Sequence, residues 1–186
     1  MKKRIMKRIL LAAILTLIIG VLPAHSLYAA TAREIDVSVD VALEKFLKEV
    51  KGSKEYLDAA KGVLVIPRVV EAGLIAGGQY GEGALRVQGK TVEYYSIAAG
   101  SFGLQIGAQE KNIILIFMAE EALKKFRTGE GWQAGVDGTV VVVNMGVEGS
   151  LDTTKMNQPI VGFVVGQRGL MAGATIEGAK FTKIKR

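Results

Sequence analysis

The chain has 186 residues, 24 basic and 18 acidic groups, one histidine and no cysteine. The histidine, His25, lies among the first 30 residues, so the remainder can form neither a serine–histidine triad, nor a cysteine nucleophile, nor the usual zinc sites. Residues 1–30 also hold five of the basic groups and none of the acidic ones, which leaves the rest at a net charge of +1 and argues against a broad nucleic-acid footprint.

Residues 1–30 read as a secretory signal. Lys2, Lys3, Arg4, Lys7 and Arg8 form a basic start, and Ile9 to Leu22 is an apolar run. Ala29, Ala30 and Ala32 offer small residues for cleavage. The apolar run is short for a membrane span, which needs about 20 residues. The expectation is an exported chain, periplasmic or peripherally attached to membrane in the cell envelope, whose residues 31–186 form one domain. Such a domain is large enough to fold without disulfides.

An amphipathic helix is expected over residues 33–51, with Val39, Leu43, Phe46, Leu47 and Val50 on one face. Val37 and Val41 fall off that face. Gly52 suits a helix end and Ser53 an N-cap for a second helix over about residues 54–60.

From Gly62 onward the signals are mostly β. Val63 to Ile66 is a short apolar run closed by Pro67. Gly73, Gly77, Gly81 and Gly83 then share odd positions, which lie on one face if the stretch is a strand. So bare a face predicts a close crossing by another element, with an open ligand groove as the alternative. Leu85 to Ile97 reads as a hairpin turning near Gln88-Gly89-Lys90, and Phe102 to Ala108 as a half-buried strand containing Leu104 and Ile106. Ile113 to Met118 is apolar throughout and reads as a central strand. Glu120 to Arg127 reads as a short helix with Ala119, Ala122, Leu123 and Phe126 inward and Glu120–Lys124 and Glu121–Lys125 as favourable pairs. A β run over Ala134 to Asn144 is expected next, then a polar loop from Met145 to Gln158. A final hairpin, Ile160 to Val165 and Leu170 to Ile176, turns around Gln167-Arg168-Gly169. The fold class expected is α+β: a mainly antiparallel, curled or barrel-like sheet with short N-terminal helices and one inserted helix.

Two motifs invite other readings. ALRVQGKT, residues 84–91, fits a relaxed phosphate-loop pattern, but the first glycine is missing and the following residues Val92 to Ile97 are strand-like. A phosphate loop needs a helix there, so no nucleotide is expected. Asp137, Glu148 and Asp152 are scattered and form no calcium loop; carboxylates meeting only in the fold could still serve a hydrolase. Trp132 suits either an ordinary edge position or a membrane interface.

The glycine-rich stretch KGVLVIPRVVEAGLIAGGQYGEG is followed by SIAAGSFGLQIGAQ, by IILIFM with an ALKKF helix, and by GLMAGATIEG. In order and spacing, over about residues 40–180, these resemble the SYLF-domain family. The resemblance implies a lipid-binding domain without a catalytic constellation or cofactor. Eukaryotic members bind phosphoinositides and some act on actin, whereas bacterial members are typically exported and bind phospholipid. This chain lacks the lipoprotein cysteine of some bacterial relatives, and its motif residues define no headgroup pocket.

The reading is therefore a non-enzymatic protein that binds an anionic phospholipid membrane at the cell envelope. Lys180, Lys183, Lys185 and Arg186 are the candidate lipid-binding cations, without which residues 31–186 would carry −3. Phe181 and Ile184, or the first helix, are the candidate apolar contribution. The alternative is a structural or assembly protein that binds an envelope protein through its glycine-rich face.

Overall fold

A computed structural model describes residues 30–73, 76–102, 107–143, 151, 153–166, 169–170 and 175–186. Helix α1 (Ala32–Glu49) begins at a capping box in which Thr31 and Glu34 satisfy each other's backbone N–H groups. It buries Ile35, Val39, Ala42 and Phe46, while Leu47 is exposed. The buried stripe is thus rotated from the one expected, and Val37 and Val41 are 55% and 60% exposed. Gly52, at φ +91°, N-caps helix α2 (Ser53–Ala59). Ser53 is not the cap: it is buried, and its hydroxyl donates to the Phe46 carbonyl at the end of α1.

Four long strands follow: β1 (Gly62–Gly73), β2 (Ala76–Val87), β3 (Lys90–Phe102) and β4 (Gly107–Phe117). The stretch Lys61–Leu85 is a hairpin rather than a single strand, and Gly73 faces Gly77 across it. Pro67 does not close β1 either. Pro67 and Arg68 form a bulge opposite Asn112, with Arg68 at φ +48° and its N–H donating to Asn112 Oδ1. The turn expected near Gln88-Gly89-Lys90 is a two-residue one: Gln88 and Gly89 are both at positive φ and Lys90 begins β3. Leu104 and Ile106 lie outside the described residues.

Helix α3 (Glu120–Thr128) buries Leu123 and Phe126. The expected β run after it is mostly turn, between β5 (Trp132–Gln133) and β6 (Val141–Val142). Thr153–Asn157 is a 3₁₀ turn inside the expected polar loop. Strand β7 (Ile160–Gly166) pairs with a two-residue β8 (Gly169–Leu170), and β9 (Lys180–Ile184) is a further strand at the end of the chain. The rest of that hairpin, residues 171–174, and the acidic residues Glu148 and Asp152 lie outside the described residues.

The strands form one sheet in the order β5-β9-β3-β2-β1-β4-β7-β6, with β8 beside β7. All pairings between these strands are antiparallel except β6 with β7. In a flat sheet β5 and β7 would stand about 29 Å apart, six strand spacings. Yet Trp132 of β5 and Ile160 of β7 line one cavity. The sheet is therefore curled into a half-barrel.

Curling separates two cores. On the convex face α1 and α2 pack on Val63, Val65, Ile114, Ile116 and Phe163, and Phe163 meets Phe46 and Tyr56 at 4.8 and 5.2 Å between ring centres. On the concave face Leu64, Ile66, Leu115 and Phe117 meet α3. There Phe126 is ringed by Tyr95, Phe117, Trp132 and Phe181 at 4.7–6.1 Å. The Ile113–Phe117 part of β4 is buried on both faces, as its unbroken apolar run requires.

The close crossing expected at the glycines is present at two of them. A Cβ on Gly83 would come within 1.9 Å of the Val65 carbonyl oxygen, and one on Gly81 within 2.9 Å of the Val69 side chain. The crossing element is β1, bent over its partner by the Pro67–Arg68 bulge. Among the described residues, no helix is long and apolar enough to cross a membrane.

Candidate functional site

The five residues nominated from the sequence occupy β9 and the end of the chain, and β9 divides them. Alternation along the strand turns Phe181 into the concave core, where it is fully buried between Phe126 and Trp132. Phe181 is therefore a packing residue with no face toward a membrane. Ile184 is half-buried.

Lys183 reaches over the rim of the half-barrel to Glu93. Its ammonium donates to Glu93 Oε1 at 2.8 Å and to the Arg127 carbonyl at 3.1 Å. Arg127 donates to the same carboxylate through Nε at 3.1 Å and its terminal nitrogen at 3.3 Å, and the Tyr95 hydroxyl donates at 2.9 Å. Burial pushes the Glu93 carboxyl up, but the bonds from Arg127, Lys183 and Tyr95 outweigh it and hold Glu93 below the ordinary carboxylate value. Burial first, then the bond to Glu93, pushes the Tyr95 hydroxyl up. Arg186 is likewise engaged: its side chain, 15% exposed, pairs with Glu82, which also accepts from the Tyr80 hydroxyl at 2.7 Å.

Two tail cations remain. Lys180 and Lys185 are exposed and, among the described residues, neither makes an ion pair. Lys180 lies on the outer face of β9, its Cε 3.0 Å from where a Cβ on Gly131 would stand. Beside it is a turn, inside the stretch 134–144 whose composition predicts strand. Gly135, at φ +84°, donates to the Gly138 carbonyl, and Asp137 accepts the Gln133 N–H at 2.7 Å. The composition Gly-Val-Asp-Gly was the available signal for that turn. Its base is tied to the residues leading into β9 by backbone bonds of Ala134 with Gly178 and Ala179. Its tip is Val136, 73% exposed. The exposed apolar tip and Lys180 thus belong to the same edge of the sheet, with the Lys180 side chain turned toward Gly131, on the other side of Gln133 from the tip.

Behind that edge runs the seam where the curled sheet brings β5 and β7 together under α3. It holds a cavity of about 320 Å³ lined by Ala119, Ala122, Trp132, Pro159 and Ile160, with Lys125, Glu121 and Asp137 among its polar groups. Trp132 itself is buried, as in the ordinary reading, and meets Phe126 edge-on and Phe181 at a tilt. The expected α3 pairs Glu120–Lys124 and Glu121–Lys125 are not closed; among the described residues, Arg127 is the residue of α3 that makes an ion pair. Lys90 is exposed and begins a strand, so no helix terminus stands behind the GKT sequence.

On the convex face, a second cleft of about 450 Å³ lies between the start of α1 and the bulge of β1, with Ile35, Pro67, Arg68, Tyr80 and Glu82 in its walls.

Residues 98–186 match the family model described as "Ysc84: Las17-binding protein actin regulator". No curated protein matches the chain. The matched stretch contains the whole of the seam, the Val136 turn and β9.

Proposed function

Residues 98–186 belong to the SYLF-domain family, and from that premise we propose that the protein is a non-enzymatic module that binds phospholipid membranes. In this reading it is exported and works at the bacterial cell envelope. The observation that carries it is the β5–β9 edge, which presents an exposed Val136 at its turn and, on β9, an exposed Lys180 that makes no ion pair among the described residues. Lys180 and Lys185 attract anionic headgroups and Val136 enters the interfacial layer. Two lysines near an anionic surface contribute about 2 kcal/mol together. That makes attachment weak and reversible, with the apolar tip adding to it.

The test is flotation of the protein with vesicles of phosphatidylglycerol and phosphatidylethanolamine against vesicles of phosphatidylcholine alone. The proposal expects salt-sensitive binding to the first and little to the second. Equal recovery with both, or with neither, contradicts it. Intact-mass measurement on protein from its native envelope tests export, with a first residue near Ala30 expected.

The second reading, a protein partner bound at the glycine-rich face, has less surface than the sequence suggested. Gly81 and Gly83 are covered by β1, but Gly78 and Gly100 are exposed beside exposed Val70 and Tyr80 on the convex face. Capture of an envelope protein in the absence of lipid would favour it.

A further inference from the structure

We propose that the seam between β5 and β7 takes one acyl chain of a phospholipid whose headgroup carries both a phosphate and an amine. This rests on the membrane-binding reading and names a site and a lipid class within it.

Small residues create the space. Ala119 and Ala122 are the α3 side of the cavity, and Gly138 clears the indole, since a Cβ there would stand 2.8 Å from the Trp132 ring. Larger residues at these positions would fill the seam as the rest of the concave core is filled. The remaining walls, Trp132, Pro159 and Ile160, are apolar, and about 320 Å³ lies at the lower end of the range for small-ligand sites. A single chain fits that volume better than a whole two-chain lipid.

The polar groups select the headgroup. Among the described residues, neither the Lys125 ammonium nor the Trp132 indole N–H has a hydrogen-bonding or ionic partner. Both are donors, and a phosphate accepts from both. Glu121 and Asp137 line the same cavity. Asp137 uses Oδ2 for the Gln133 N–H, which leaves Oδ1 to face a ligand ammonium. One cation and two carboxylates match a headgroup with a phosphate and an amine. They are a poor match for one that is only anionic.

Trp132 is the only tryptophan of the chain, so its fluorescence reports the seam alone. The experiment adds lysophosphatidylethanolamine with a brominated chain, below its micelle concentration, and reads quenching. Wild type should quench saturably. Ala122→Leu, which fills the cavity with a good helix former, should abolish quenching while keeping the wild-type thermal midpoint and vesicle flotation. Lys125→Glu leaves the cavity open and should weaken binding about tenfold or more, as loss of a charge-assisted bond does. Absence of quenching in wild type, or quenching unchanged in both variants, overturns the proposal. Brominated lysophosphatidylglycerol bound as tightly as the ethanolamine lipid overturns the headgroup assignment. Flotation that survives while quenching fails removes the seam site and leaves the membrane reading intact.

Discussion

The two ends of the long strands are built differently. Near Leu64, Leu85 and Leu115 the sheet is packed on both faces, by α1 and α2 on one side and α3 on the other. Near Glu71, Gly78 and Gly100 the convex face is open, with Val70 and Tyr80 exposed. There the concave face carries an ion pair, Lys111 Nζ to Glu71 Oε2 at 2.7 Å, whose side chains are only 10% and 13% exposed. Beside it Gln79, paired opposite Glu71, has a buried Oε1 with no protein partner. One end stores stability in apolar contact, and the other spends some on polar groups inside a curled sheet. The difference teaches that glycine serves both ends for opposite reasons, close approach at Gly83 and bare surface at Gly100.

The largest effect is expected at the polar end. Lys111→Ala leaves the Glu71 carboxylate buried without its cation and should cost about 3 kcal/mol. Lys111→Met combined with Glu71→Gln should cost much less, because neither charge is left alone. Urea melts of the two variants measure this. Equal losses would mean that shape, not charge, governs the site.

The glycine contrast is next. Gly83→Ala forces a Cβ onto the backbone of β1 and should destabilise by about 2 kcal/mol. Gly100→Ala meets nothing within 4 Å and should change stability by less than about 0.5 kcal/mol. Similar thermal midpoints for both variants would erase the distinction between the two ends.

A smaller effect is expected at the rim. Glu93 is held below its ordinary value, so the stability from its bonds is complete above that value and is lost as pH falls through the lowered one. Glu93→Gln should cost about 1 kcal/mol near neutrality and less as the medium is acidified, so the two melting curves converge as pH falls through the lowered Glu93 value. A constant gap across the acid range would show that the Glu93 charge is not what holds Lys183 and Arg127.

Much of this was legible in the chain. The run Ile113–Met118 forced a strand buried on both faces, and the Gln88-Gly89 turn and the α3 stripe were readable from local chemistry. So was the curl, through the density of glycine. What was not legible depended on partners distant in sequence. Nothing local distinguishes Gly83 from Gly100: Gly83 sits on β2 beside the Pro67–Arg68 bulge of β1, whereas Gly100 sits on β3, beyond the reach of that bulge. Nothing near Lys183 or Arg186 announces Glu93 or Glu82, about 90 and 104 residues away. The four tail charges looked equivalent because the pairing of their strand with β3 and β5 is not written locally, and strand alternation is what sent Phe181 inward.

That non-equivalence gives the sharpest test of the membrane account. Lys180 and Lys185 are free to meet headgroups, whereas Lys183 and Arg186 are engaged with acidic partners. The measurement is co-sedimentation with anionic vesicles at low salt, comparing Lys180→Gln/Lys185→Gln with Lys183→Gln/Arg186→Gln. The first pair should lose roughly thirtyfold in partitioning, the equivalent of about 2 kcal/mol, and keep the wild-type melting point. The second pair should keep most of the binding and melt lower. Undiminished binding by the Lys180 and Lys185 variant, with no dependence on salt, would contradict the account.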